Sequence, residues 1–145
     1  MNEAPVLQDI VRREGRSLLQ YISEAFPWAT LAGRTALAKL DAMIAEERDA
    51  VAALSNFLRK RRVSPPYLGA YPMSFTNINY LSLQHLLPRL VVHQKQAITR
   101  LAQDLGQITD PAAREQVERM LGMKREHLQR LEELAVKPEA AATIP

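Results

Sequence analysis

The sequence predicts an all-α protein, an antiparallel four-helix bundle, and three observations carry that prediction. Four long stretches repeat apolar residues at intervals of three, four and seven, the spacing of a single helix face. No stretch alternates apolar and polar residues convincingly enough to read as a strand. The outer two junctions are short and the middle one is long, so sequential helices pair antiparallel and the second pair docks on the first.

The first stretch, 6–26, places Leu7, Ile10, Val11, Leu18, Tyr21, Ile22 and Ala25 at helical spacing. Pro5 stands where a first-turn proline is tolerated, and Pro27 ends the run. The second, 35–61, carries Leu37, Leu40, Ile44, Val51, Leu54 and Leu58 along a seam like that of a coiled coil. Residues 62–76 (RVSPPYLGAYPMSFT) break both periodicities and read as an extended connection. Its aromatics Tyr67, Tyr71 and Phe75 are expected to pin it across the bundle surface or over one end. The third helix, 77–105, has Tyr80, Leu83, Leu87, Leu90, Ala97 and Leu101 on its stripe, with Pro88 expected to kink it. The fourth, 110–135, opens on Thr109-Asp110-Pro111, an N-cap followed by an early proline. It continues through Val117, Met120, Leu121, Leu128, Leu131 and Leu134. Helices of these lengths span about 30–45 Å at 1.5 Å per residue. Residues 1–135 are thus expected to form the bundle, and 136–145, which lack an amphipathic pattern, a flexible tail.

Composition narrows the chemistry. At 145 residues the chain suits one domain, and 47% hydrophobic with 24% charged residues is neither disordered nor membrane-like. There is no cysteine, which removes disulfides, thiolate zinc sites and a cysteine nucleophile together. The ligands that remain are carboxylates, three histidines and neutral oxygens, a set suited to iron or manganese. No GxGxxG or GxxxxGK[ST] string supports a nucleotide site, and no apolar run approaches a membrane span. The N-terminus lacks the basic and apolar regions of a signal peptide, so a cytoplasmic location is expected.

What interrupts each apolar stripe is more informative. The first seam passes through Glu14, the second through Glu47, the third through Gln94 and the fourth through Lys124, with His127 one turn further on. A buried carboxylate is costly unless it is paired, hydrogen-bonded or bound to a cation. Four helices accepting that cost at similar depth point to one shared internal cluster. A lone polar residue on a seam is also a common register-setting device.

In this pattern the chain resembles the ferritin-like superfamily. That resemblance implies a glutamate on the first helix, Glu-x-x-His on the second, a glutamate on the third and Glu-x-x-His on the fourth, around two metal ions. Glu14 and Glu47 match the first two carboxylates. Ala50 stands where the second helix should supply histidine, Gln94 (beside His93) where the third should supply glutamate, and Lys124-x-x-His127 replaces the last pair. Lysine brings a fixed positive charge to the place of a divalent ion. The expectation is therefore a degenerate, metal-free cluster of Glu14, Glu47, Gln94, Lys124 and His127, without catalytic residues, in a homodimeric bundle that serves as a structural or protein-interaction module. The alternative implied by the resemblance is an iron- or manganese-dependent oxidase, peroxidase or storage protein using Glu14, Glu47 and His127. His93 and Glu46 would substitute if the helical phase differed by one residue.

Other features carry less. The run Arg59-Lys60-Arg61-Arg62 reads as cations at a helix C-terminus rather than as a nucleic-acid surface, given a net charge of only +3. His85 has no identifiable chemical partner, Tyr21 reads as a ring packed in the bundle rather than a redox residue, Trp28 is expected to plug the bundle end, and Ser17 and Ser55 have no histidine base nearby in sequence.

Overall fold

The computed structural model describes residues 2–25, 27–31 and 33–136. They form an antiparallel all-α bundle with a long connection in its middle. Helix α1 spans Ala4–Glu14, α2 Leu18–Tyr21, α3 Arg34–Lys60, α4 Leu83–Leu105 and α5 Pro111–Val136. Residues 137–145 of the expected tail lie outside the described residues, as does residue 26.

The expected single helix over 6–26 is broken. After Glu14 the chain turns at Gly15, and Ser17 adopts an extended conformation (φ −67°, ψ 161°) while its side chain accepts a hydrogen bond from the Gln20 N–H. That cap starts the short α2, which passes into a 3-10 turn over Ile22–Glu24. The break keeps Leu18, Leu19, Tyr21 and Ile22 buried while displacing the chain sideways. It also lets the connection cross closely, since a Cβ built on Gly15 would lie 2.8 Å from Leu68 Cδ1 and 2.9 Å from the Val11 carbonyl oxygen.

Helix α3 agrees with its expected bounds and ends in a Schellman motif. The Arg62 N–H donates to the Arg59 carbonyl and the Val63 N–H to the Leu58 carbonyl, each at 2.9 Å. Arg62 takes the left-handed position, φ 61°, where glycine is usual. Arg61 stacks on Phe57 and pairs with Asp110 at 3.2 Å, fastening this end of α3 to the start of α5.

The connection is pinned by Tyr71 and Phe75, whose ring centroids lie 5.2 and 5.7 Å from that of Tyr21. Tyr67 does not help, being 92% exposed. A 3-10 turn, Met73–Ile78, occupies the place where the third helix was expected to begin. Helix α4 starts only at Leu83, because the backbone of Tyr80, Leu81 and Leu83 is hydrogen-bonded to that of Ala25 and Trp28, with a single bridge between Trp28 and Ser82. The Tyr80 N–H donates to the Ala25 carbonyl and the Leu83 N–H to the Trp28 carbonyl, both at 2.8 Å. Tyr80 is consequently off the buried stripe and exposed, with φ 62°. Trp28 contributes its backbone to this pairing and leaves its ring 58% exposed, so it does not plug the bundle end.

Helix α4 continues through the exposed Pro88, and the carbonyl that loses its donor there belongs to Gln84, itself exposed. Asp110 accepts from the Ala113 N–H at 2.9 Å and caps α5 ahead of Pro111, as expected. Glu3 Oε1 accepts from the Thr109 N–H and hydroxyl, at 2.8 and 2.6 Å, tying the entry of α1 to the α4–α5 link.

Side-chain packing divides the interior into two apolar cores. One joins α2, the first half of α3, the first half of α4 and Leu131. The other joins α1, the second half of α3, Leu101 and the first half of α5. Each long helix crosses from one core to the other, and at each crossing it carries a buried polar residue.

Candidate functional site

Those crossings build one polar layer. Glu14 ends α1 between Val11 and Leu18, Glu47 lies between Ile44 and Val51 on α3, and Lys124 lies between Leu121 and Leu131 on α5. Each pair of flanking residues belongs to opposite cores. The spacing fixes the face on which these side chains stand, and their level between the cores brings three of them together.

The centre is a triad. Lys124 Nζ lies 2.7 Å from Glu14 Oε1 and 2.8 Å from Glu47 Oε2. Lys124, Glu14 and Glu47 are 0%, 2% and 1% exposed. The approach to Glu47 is an aligned hydrogen bond, whereas the approach to Glu14 is poorly aligned and acts as a close Coulombic contact. Burial pulls the Lys124 ammonium down, but the attraction of Glu47, then of Glu14, outweighs it and holds the group above the ordinary lysine value. The free oxygen of Glu47 accepts from the Ser17 hydroxyl and from Gln20 Nε2, the latter at 3.3 Å. Gln20 Nε2 also donates to the Ile44 carbonyl at 2.9 Å. A buried ion cluster is tolerable only when its lone pairs and protons are used in this way.

The other two residues of the expected cluster bind elsewhere. Gln94 Nε2 donates to the main-chain carbonyl of Lys124 at 2.9 Å, so it braces α4 against the helix that carries the lysine. His127, fully buried, donates from Nε2 to Glu46 Oε2 at 2.7 Å, and its Nδ1 is buried without a partner. That hydrogen bond, ahead of the opposing effect of burial, keeps the Glu46 carboxyl below the ordinary carboxylate range. Glu46 therefore enters through His127, not in place of Glu47. His93 takes no part in the triad's hydrogen bonds and packs edge-on against Phe75, with centroids 5.6 Å apart, and burial pushes it below the ordinary histidine range.

Sequence reasoning missed Ser17 and Gln20. A signal for them exists, since Ser17-Leu18-Leu19-Gln20 has the S-x-x-Q form of a capping box and marks a helix start inside an apparently continuous stripe. A second polar brace was also unforeseen. Arg13 bridges Asp9 of α1, at 2.5 Å, to the buried Asp104 of α4, at 2.6 Å.

The residues do not fit a di-metal centre. The Lys124 ammonium stands between the two carboxylates that would hold an ion, and His127 is directed to Glu46. Among the described residues, no group of three or more histidine, aspartate or glutamate side chains is arranged to hold a metal ion. No described helix is long and apolar enough to cross a membrane. Comparisons with protein families, with curated proteins and with solved structures find no match for this chain.

Proposed function

We propose that this chain is a ferritin-like bundle that has exchanged metal chemistry for an ion-pair core, and that it works as a non-enzymatic structural or protein-interaction module, as a homodimer in the cytoplasm. The observation that carries this reading is the Lys124 ammonium lying within 2.8 Å of both Glu14 and Glu47. A fixed cation already neutralises both carboxylates, and a divalent ion would have to displace it against their attraction. The order of the polar residues along the helices supports the ferritin-like part of the reading, although Ala50, Gln94 and Lys124 depart from the pattern.

The test is metal analysis of protein purified without an affinity tag, followed by thermal melts with Fe(II), Mn(II) and a chelator. The expected result is no stoichiometric metal and the same melting temperature throughout. One or two metal equivalents per chain, with a metal-dependent rise in melting temperature, would overturn the proposal in favour of redox chemistry. Sedimentation equilibrium of the same preparation tests the dimer, and a monomer at tens of micromolar would remove that part.

A further inference from the structure

Beside the triad lies a cleft of about 540 Å³, bounded by the break after α1, by the connection and by α4. Its size falls within the range that takes small molecules. The walls are mostly apolar, built from Leu68, Phe75, Leu90 and Ala97. Arg12, Arg13, Arg16 and Arg100 line the same space. Arg12 and Arg100 are more than half exposed and stand where the cleft meets solvent.

The charges around this cleft do not balance. Arg12, Arg13 and Arg100 share Asp9 and Asp104. Glu14 is the one carboxylate lining the cleft, and Lys124 already pairs with it. Arg16 has no carboxylate within 4 Å among the described residues. Its Nε donates to the Gly69 carbonyl at 2.7 Å, its Nη1 to the Gly15 carbonyl at 3.0 Å, and its plane lies 4.7 Å from the Tyr71 ring centroid. Those contacts fix the guanidinium without neutralising it. Arg13 adds a buried Nε that has no acceptor. A preorganised, partly desolvated guanidinium without a counter-ion is a carboxylate receptor.

We propose that this cleft binds an amphipathic monocarboxylate, with its acyl or aryl body on Leu68, Phe75, Leu90 and Ala97 and its carboxylate on Arg16. Arg16 is the one guanidinium lining the cleft without a carboxylate within 4 Å among the described residues, and it offers a single anion position beside the apolar wall, which a monocarboxylate fills. Cationic and neutral bodies of the same shape gain nothing from Arg16. This inference is independent of the non-enzymatic reading above, because it concerns a site beside the triad.

The full chain is titrated with two fluorescent probes that differ by one charge, 8-anilino-1-naphthalenesulfonate and the neutral N-phenyl-1-naphthylamine, and the first is then displaced with decanoate. One saturable site for the anionic probe, displacement by decanoate but not by acetate, and binding of the neutral probe weaker by at least about tenfold are expected. Arg16→Gln should weaken the anionic probe by a similar factor, and Ala97→Phe, which fills the cleft without touching a charge, should abolish binding. Equal binding of both probes, failure of decanoate to displace, or undiminished binding by Arg16→Gln would each overturn the proposal. Should Arg16→Gln fail to fold, the probe pair and Ala97→Phe decide the matter by themselves.

Discussion

Replacing Lys124 by methionine removes one ammonium and leaves the shape of the side chain nearly unchanged, while stranding two carboxylates that are 2% and 1% exposed. At an effective dielectric near 20, unit charges about 2.8 Å apart attract by about 6 kcal/mol, so each of the two contacts is large in gross terms. Part of that attraction offsets the cost of desolvating the lysine, a cost the variant no longer bears. The net loss expected on breaking a buried pair from one side is therefore about 3–5 kcal/mol. For a chain of this length it corresponds to a fall in melting temperature of about 10–15 °C, read by circular dichroism at pH 7. Because the folded Lys124 group titrates above its unfolded value, its stabilising effect is complete below the unfolded lysine pKa of about 10.4 and is lost only as pH rises through the higher folded value. The native chain should accordingly keep this contribution through neutral pH and lose it only in strong alkali. A second variant separates charge from packing. Glu14→Leu with Glu47→Gln and Lys124→Met removes all three charges, keeps an oxygen for Ser17 and Gln20, and should recover more than half of the loss. A single variant melting within about 3 °C of the native chain would refute the argument that the ammonium stabilises this layer. A triple variant no better than the single one would show that fit, and not charge, is what the lysine supplies.

Three further outcomes follow from the backbone and the caps. Arg62→Gly relieves a left-handed residue in the Schellman motif of α3 and should stabilise the chain by about 0.5–1 kcal/mol in urea titrations, after the greater freedom of glycine in the unfolded chain is subtracted. A neutral or negative result would mean that Arg62 makes a compensating contact. Gly15→Ala sets a methyl 2.8 Å from Leu68 and 2.9 Å from the Val11 carbonyl oxygen and should destabilise by about 1–3 kcal/mol, with Leu68→Ala restoring part of it. No cost in the single variant would show that the connection moves freely at this crossing. Glu3 lies below its ordinary value chiefly through the Thr109 hydroxyl, and Asp110 chiefly through the Ala113 N–H. Carboxyls lowered on folding stabilise above their unfolded values and lose that effect as pH falls through the folded ones, so the melting temperature should decline below about pH 4. Glu3→Gln should flatten that decline, and an unchanged acid profile would remove Glu3 from the account.

Much of the interior was legible in one dimension. Helical spacing alone placed Glu14, Glu47, Gln94 and Lys124 on buried faces, because a residue's angular position on a helix follows from its number. Asp110-Pro111 marked the start of α5 for an equally local reason, since a cap is satisfied within its own turn. The pairing of Lys124 with both glutamates agrees with the expectation that an ammonium neutralises them, where spacing alone had left a metal ion on Glu14, Glu47 and His127 as the alternative.

Partners were a different matter. His127 shares a face with Lys124, yet it lies three residues and thus about 4.5 Å further along the axis, at the level of Glu46. Which carboxylate a given residue meets depends on the axial offset between helices, and no periodicity within one helix encodes that offset. The break at Gly15, the late start of α4 and the exposure of Tyr80 and Trp28 have the same origin. Each answers to a segment distant in sequence, Leu68 crossing over Gly15 and the backbone of Tyr80, Leu81 and Leu83 bonding to that of Ala25 and Trp28. The sequence by itself determined which faces are apolar and which charges must be buried, because those follow from local spacing and from the cost of desolvation. Only the tertiary structure decided where the helices stop, which carboxylate each cation meets and that a cleft opens beside Arg16, because those depend on how elements far apart in the chain come to lie against one another.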